Sequence, residues 1–234
     1  WDRLLRTEAV QVHREHFGMM VGDVLKIRLV RVMALVYFLV FLSVFSLDYL
    51  FWKQCHRWFP TSNSLASFQF SFYLVHAVVT IGALRLILPQ LIARWGFVKV
   101  LYSLPAVLVV GSAGLIGARL ADIDLRVLFA ATIVLQFLRY VVFENAFSPI
   151  YQMFFVAIPT DKRGRAKTLL EGIVKPAAML SAGVCLSSFG NVENGILGLI
   201  GVSSALLVYL VASVRKTYIE ELVPRGAAPE SQGN

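Results

Sequence analysis

Two pairs of ionisable residues interrupt otherwise apolar sequence: Arg139 and Glu144 in ATIVLQFLRYVVFENAF, and Glu171 and Lys175 in TLLEGIVKPAAML. Inside a bilayer a charged side chain costs several kcal/mol unless it is paired or faces a polar cavity. Four such residues therefore point to a polar interior, and the chemistry they equip is recognition of a charged or polar solute along a pathway. Arg139 and Glu144 are five residues apart, about 140° out of register on an ideal helix, so each is expected to find its partner on another helix. Glu171 and Lys175 are four apart and share a helix face, so an ordinary pair along one helix competes with a site role.

Other polar positions carry weaker signals. Asp48 lies a turn deeper in the first apolar stretch than Lys53, whose long side chain can reach the interface. Asp48 therefore needs a partner more than Lys53 does. Arg85, near the end of the second stretch, reads equally well as a snorkelling residue and as half of a gating salt bridge. His76, in FYLVHAVVT, reads first as a hydrogen-bonded packing residue and second as a proton relay. Gln136 and Thr80 read as helix contacts.

No constellation for bond-making chemistry accompanies them. The sequence contains no Gly-rich phosphate loop ending in Lys-Ser/Thr, no Gly-x-Ser-x-Gly elbow and no His-Glu-x-x-His. His56 beside Cys55 is a weak metal signal without a second ligand pair. The expectation is a protein that is not an enzyme and has neither cofactor nor metal. Cys55 and Cys185 read mainly as packing residues, although both fall near one membrane face and a disulfide between them is the minor alternative.

The elements that position these residues follow from composition. Of the 234 residues, 58% are apolar and 15% charged, with a mean hydropathy of +0.71, against roughly a quarter charged in ordinary soluble domains. Six stretches approach the roughly twenty apolar residues that cross a bilayer as a helix. They lie near Arg31–Trp52, Phe68–Leu91, Phe97–Ala118, Val127–Phe147, Thr168–Phe189 and Gly195–Val214. Runs such as VMALVYFLVFLSVF lack the alternation of barrel strands. The fold class is all-α, a polytopic membrane protein with six transmembrane helices.

Residues 1–30 read as an amphipathic or linker segment on the cytoplasmic side, residues 31–214 as the six-helix bundle, and residues 215–234 as a cytoplasmic tail whose end is compositionally disordered. Within the tail, LVPRG has the look of a protease site and carries no function. The opening stretch, which starts at Trp1, lacks the pattern of a secretory signal, and further sequence is expected upstream.

Lys and Arg in the short connections set the orientation. Fifteen lie on the side of the N-terminal segment, the second and fourth connections and the tail, against four on the other side, at Lys53, Arg57, Arg119 and Arg126. Both termini are expected in the cytoplasm, with the bundle in the inner (plasma) membrane. Topology and anionic lipid also account for the net charge of +8 without a nucleic-acid partner. Gly111, Gly114, Gly117, Gly195, Gly198 and Gly201 are expected to allow close helix packing.

Four elements carry a family resemblance. Asp48, Tyr49, Phe51 and Lys53 resemble an Asp-Tyr-x-Phe-Lys element, and Arg139, Tyr140 and Phe143 an Arg-Tyr-x-x-Phe element. Ile158, Pro159, Asp161 and Arg163–Lys167 resemble a proline turn followed by Arg-Gly-Arg-Ala-Lys, and Leu91–Lys99 a degenerate second-to-third-helix motif of facilitators. Together, over roughly Leu29 to Gly190, they resemble the ADP/ATP translocase-type nucleotide transporters and their bacterial relatives in the major facilitator superfamily. The chain departs from that pattern at Glu144-Asn145 and at Lys175-Pro176, where relatives often carry Asp at the lysine position.

The resemblance implies the second six-helix half of a transporter that moves a polar or anionic, nucleotide-like solute by alternating access. It also implies a complementary six-helix half, upstream or in another subunit, and Arg139, Glu144, Glu171, Lys175, Asp48 and Arg85 as binding or gating residues. The alternative, which the departures and the basic face permit, is a non-transporting membrane anchor or scaffold for a soluble module or partner complex.

The charge asymmetry makes a direct prediction. In a variant whose two native cysteines are replaced, Ile123→Cys is expected to react with a membrane-impermeant thiol reagent from outside intact cells. Arg165→Cys is expected to react only after permeabilisation; the reverse pattern rejects the orientation.

Overall fold

The computed structural model describes residues 22–189 and 193–226. These residues form an all-α polytopic bundle, with no strand among them. Six helices are long and apolar enough to cross a membrane: α1 Arg28–Trp58, α2 Ser62–Gly82, α3 Ser103–Leu120, α4 Leu125–Ala157, α5 Thr160–Ser188 and α6 Glu193–Tyr218.

α1 is the axis of the bundle. A helix that is apolar all round belongs in an interior. Along α1, Leu29, Val30, Met33, Val36, Val40, Leu47 and Leu50 are fully buried. They join one core with Leu104 and Leu108 of α3 and Ile196, Ile200, Leu207 and Val211 of α6. Where α1 and α6 approach, serines replace bulk: the hydroxyls of Ser43 and Ser203 are 2.7 Å apart, and Ser204 donates to Ser43 at 3.3 Å. Small hydroxyl residues let helix backbones come close and bond across the contact.

An aromatic cluster attaches α2 at the end of α1 that carries Trp58. Phe59 stacks on Phe68 at 4.6 Å between centroids, Trp58 on Phe129 at 5.4 Å, and Phe51 lies 5.3 Å from Phe72. At that same end the carboxylate of Glu193 is held by Arg119 and lies 3.7 Å from Arg57, so the ends of α1, α3 and α6 share one charge cluster. At the opposite end, Lys26 donates to Asp23 at 2.7 Å. Lys26, together with Lys162 and Arg165, holds the Asp23 carboxyl below its usual range, which places the approach to α1 beside the start of α5.

Several helices differ from their expected extents. α4 does not stop near Phe147 but runs to Ala157, so Glu144 lies 13 residues inside its end rather than close to it. α5 begins at Thr160 rather than Thr168, and the basic run is helical from its first turn. α3 begins at Ser103, preceded by a separate helical turn at Phe97–Val100. The last helix also continues through Gly226, beyond the expected boundary at Val214, and Tyr218 packs edge-on against Phe154. The expected amphipathic character of residues 1–21 and the disorder of residues 227–234 lie outside the described residues.

Proline chemistry explains the longer α4. Pro149 is expected to limit the helix, yet the chain passes it through a π-turn at Phe143–Phe147, in which Ser148 donates its N–H to the carbonyl of Phe143. The same device recurs twice. Leu88 donates to Ala83 just before Pro89, and Lys175 to Leu170 just before Pro176. Proline offers no N–H and its ring crowds the carbonyl four residues back; a turn widened by one residue relieves that conflict without breaking the helix.

Pro159 does end α4. The side chain of Arg163 then reaches back across the corner, donating to the carbonyls of Phe155 at 2.9 Å and Val156 at 3.1 Å. These carbonyls lie at the C-terminal end of the helix, where the Phe155 carbonyl also accepts the Ile158 N–H at 3.1 Å, and a cationic donor suits that end. The Arg of the Pro-to-Lys element thus has a structural task at this corner.

Glycines are less uniform than their spacing implies. A Cβ on Gly111 would clash with Cδ1 of Leu135, and one on Gly201 would meet Ser112 Oγ at 3.2 Å. Gly114, Gly117 and Gly198 have nothing within 4 Å. Close approach therefore explains only Gly111 and Gly201 of these five. Gly111→Ala is expected to cost about 1–3 kcal/mol, the usual penalty for overpacking. Gly114→Ala is expected to leave thermal stability in detergent unchanged or slightly raised; equal effects at both positions would refute this packing.

Candidate functional site

The site grows from one stripe of α4. Gln136, Arg139 and Tyr140 fall within little more than a turn, and the first two share the face turned to α1. Gln136 is fully buried and Arg139 is 2% exposed. Both reach the same oxygen of Asp48 on α1: Gln136 Nε2 donates to Oδ1 at 2.6 Å, and Arg139 Nη2 donates to that oxygen and forms the ion pair. The guanidinium also lies 3.7 Å over the ring of Tyr140. Asp48 thus has two partners on α4, and Arg139 pairs across helices rather than along its own.

The cluster is not fully satisfied. Among the described residues, Nε of Arg139 and Oε1 of Gln136 have no hydrogen-bond partner although both are buried. A buried donor without an acceptor costs about 1–3 kcal/mol, more when charged. The arrangement therefore holds recognition capacity that its own side chains leave unused.

A second group continues the stripe toward the other end of the bundle. α2 buries only Phe72 and His76, four residues apart on the face that meets α4. His76 Nε2 lies 3.5 Å from Glu144 Oε2 and 3.1 Å from the hydroxyl of Thr80, and its ring is 5.2 Å from that of Tyr140. The hydroxyls of Tyr73 and Tyr140 are 3.5 Å apart. Polar groups thus run from Asp48 through Arg139 and Tyr140 to His76 and Glu144, over about 12 Å of α4 at 1.5 Å per residue.

Lys175 and Glu171 follow a different course. Glu171 lies 3.8 Å from Lys167, and the ammonium of Lys175 lies 5.0 Å from the ring centroid of Phe41. The expected alternative of a Glu171–Lys175 pair is replaced by these contacts, because the π-turn at Leu170–Val174 lies between the two and alters the α-helical register that the pairing presupposes. Both are also deeper than their sequence position implies, since α5 starts eight residues earlier than expected. No carboxylate pairs with Lys175 among the described residues.

Arg85 is exposed and likewise pairs with no carboxylate among the described residues. Three of the six expected site residues, Arg85, Glu144 and Glu171, sit within the three π-turns. Such turns are frequent at functional sites because they offset a helix face and free backbone groups.

The structure unites Asp48 with Arg139, brings Glu144 close through His76 and Tyr140, and leaves Arg85, Glu171 and Lys175 apart. Gln136 and His76 have more central positions than their sequence signals conveyed. For Gln136 the usable signal was its spacing three residues before Arg139; for His76 it was membership of the apolar stripe Leu65, Phe68, Phe72.

Cys55 and Cys185 are both free thiols, and no group of three metal-ligating side chains occurs among the described residues. No family model, curated protein or solved structure matches this chain.

Breaking one side of a buried ion pair strands the other charge. Asp48→Leu alone, or Arg139→Met alone, is expected to cost about 3–5 kcal/mol, whereas the two together are expected to be nearly neutral for stability. Denaturation of all three variants in detergent measures this, and additive single and double effects would reject the coupling.

Proposed function

We propose that this chain is one six-helix half of a transporter of the major facilitator, ADP/ATP translocase-like type, moving a polar or anionic solute by alternating access. The observation that supports this reading best is Arg139: a guanidinium deep in a membrane-spanning helix, paired with Asp48 and still holding an unused buried donor. The family resemblance extends the solute class to nucleotide-like anions. The proposal places the bundle in the inner membrane with a complementary six-helix half.

The mechanism follows from charge balance. With no solute bound, Asp48 holds Arg139 through one oxygen that also accepts from Gln136. An entering anion offers a planar, delocalised cation the fork geometry it recognises best, and Asp48 is displaced. The released carboxylate then requires water or a cation, which makes the empty and loaded states differ in charge distribution. π-turns on α4 and α5, and the one after α2, are places where a helix can change register at modest cost.

Arg139→Lys keeps the charge but loses the planar fork. Purified protein is expected to bind at least one of a panel of radiolabelled nucleotides and organic anions, with Arg139→Lys weakening that binding at least tenfold and Arg139→Ala abolishing it. Absence of binding to the whole panel would instead favour the anchor reading.

A further inference from the structure

The Tyr140 ring has a fixed cation against it and a titratable base beside it. The Arg139 guanidinium lies 3.7 Å over the ring, and the imidazole of His76, itself 8% exposed, is 5.2 Å from it between centroids. Guanidinium and imidazole are thus at most about 9 Å apart, and at the effective dielectric of a protein interior a unit charge at that range changes an ionisation equilibrium about 20-fold.

Charge counting gives that proximity a consequence. With no solute bound, Asp48 offsets Arg139, and the Glu144 carboxylate has the Nε2 of His76 at 3.5 Å. Titratable and charged groups around His76 are Glu144 and Tyr140 of α4 and Tyr73 of its own helix, whose hydroxyl is 3.5 Å from that of Tyr140; behind Tyr140 stand Arg139 and, on α1, Asp48. An anion that takes Arg139 from Asp48 adds one negative charge to this stripe. Histidine is the side chain whose charge changes between about pH 5 and 8 without special tuning, and here it already faces a carboxylate.

We propose that the solute anion is taken up together with a proton, which is held on Nε2 of His76 against Glu144. The proton comes from water and forms an N–H bond at the nitrogen lone pair; no bond to the solute is made or broken. In the neutral ring that nitrogen accepts from the Thr80 hydroxyl, 3.1 Å away, and in the charged ring it donates toward Glu144. A metal cation suits the place less well, since one imidazole nitrogen, one carboxylate and one hydroxyl are fewer ligands than hard cations take, and no group of three metal-ligating side chains occurs among the described residues. The inference rests on the anion-binding reading above and names its coupling ion.

Reciprocity fixes the sign. An anion that raises the proton affinity of the His76–Glu144 pair is bound more tightly, by the same factor, when the pair already holds its proton. Affinity is therefore highest at acid pH and falls as pH rises through the titration of the pair.

The probes are sulfate, benzenesulfonate and cyclic AMP, anions that neither gain nor lose a proton between about pH 6 and pH 8, the range in which histidine titrates. Binding of at least one of them to the purified chain is expected to weaken at least about fivefold across that range, out of the roughly 20-fold available. In lightly buffered solution with an indicator dye, about half a proton or more is expected to be taken up per anion bound at the steepest pH. His76→Gln is expected to bind without proton uptake and with a flat pH profile. If that variant fails to fold, Glu144→Gln is expected to shift the wild-type profile to lower pH, and an unchanged profile overturns the proposal.

Uptake that persists in folded His76→Gln places the proton elsewhere, on the released Asp48 for instance, and overturns the assignment. Anion binding by the wild type that is independent of pH and takes up no proton overturns the coupling and leaves the transporter reading standing. Failure of all three probes to bind at any pH removes support from the anion reading itself, and the coupling falls with it.

Discussion

The pairing of Asp48 with Arg139 is the interaction around which the rest of the bundle is arranged. A guanidinium 2% exposed inside a membrane-spanning helix is tolerable only with an anion held against it, and α1 must supply that anion from the depth at which α4 presents the cation. Serines between α1 and α6, and the aromatic cluster that fastens α2 near Trp58, keep α1 in its place. Displacing α1 along its axis by even one turn, about 5.4 Å, would leave both charges buried alone.

From this pair a run of polar contacts leads along α4 toward Glu144. Gln136 supports Asp48, Tyr140 underlies Arg139, and His76 leads on to Glu144. The outer faces are different: the grooves beside α4, lined by residues such as Val110, Gly114, Val134 and Leu138 or by Phe68, Val75 and Phe137, carry no charged side chain. Lipid chains suit those surfaces, whereas the Glu144 and Lys175 face requires water or protein. That division orients the bundle about its own axis without reference to any relative.

The prolines show how a short local rule reshapes a long element. Each of Pro89, Pro149 and Pro176 follows a π-turn, and the widened turn preserves a continuous span while offsetting the faces on either side. In α5 this offset lies between Glu171 and Lys175, which spacing alone would have paired. The same relief lets α4 continue past Pro149 and places Glu144 well inside the span rather than at its end. Local backbone chemistry thus redistributes charges whose positions along the chain are unchanged.

Much of this was legible in the residues themselves. Long apolar runs dictate spanning helices, because a backbone in lipid must satisfy its own hydrogen bonds. Buried charges such as Arg139 announce themselves by their cost, and the basic corner at Pro159 marks one end of the bundle. Which charge meets which is another matter. It depends on helix rotation, on π-turns whose placement follows from steric relief around proline, and on the depth at which α1 stands against α4. Sequence therefore determined a six-helix membrane protein with unpaired charges in its spans, and only the tertiary structure decided that Arg139 belongs to Asp48, that His76 faces Glu144 and that Lys175 has no anion in the described chain. Composition acts through each helix's own solvation, whereas pairing is a property of two surfaces brought together.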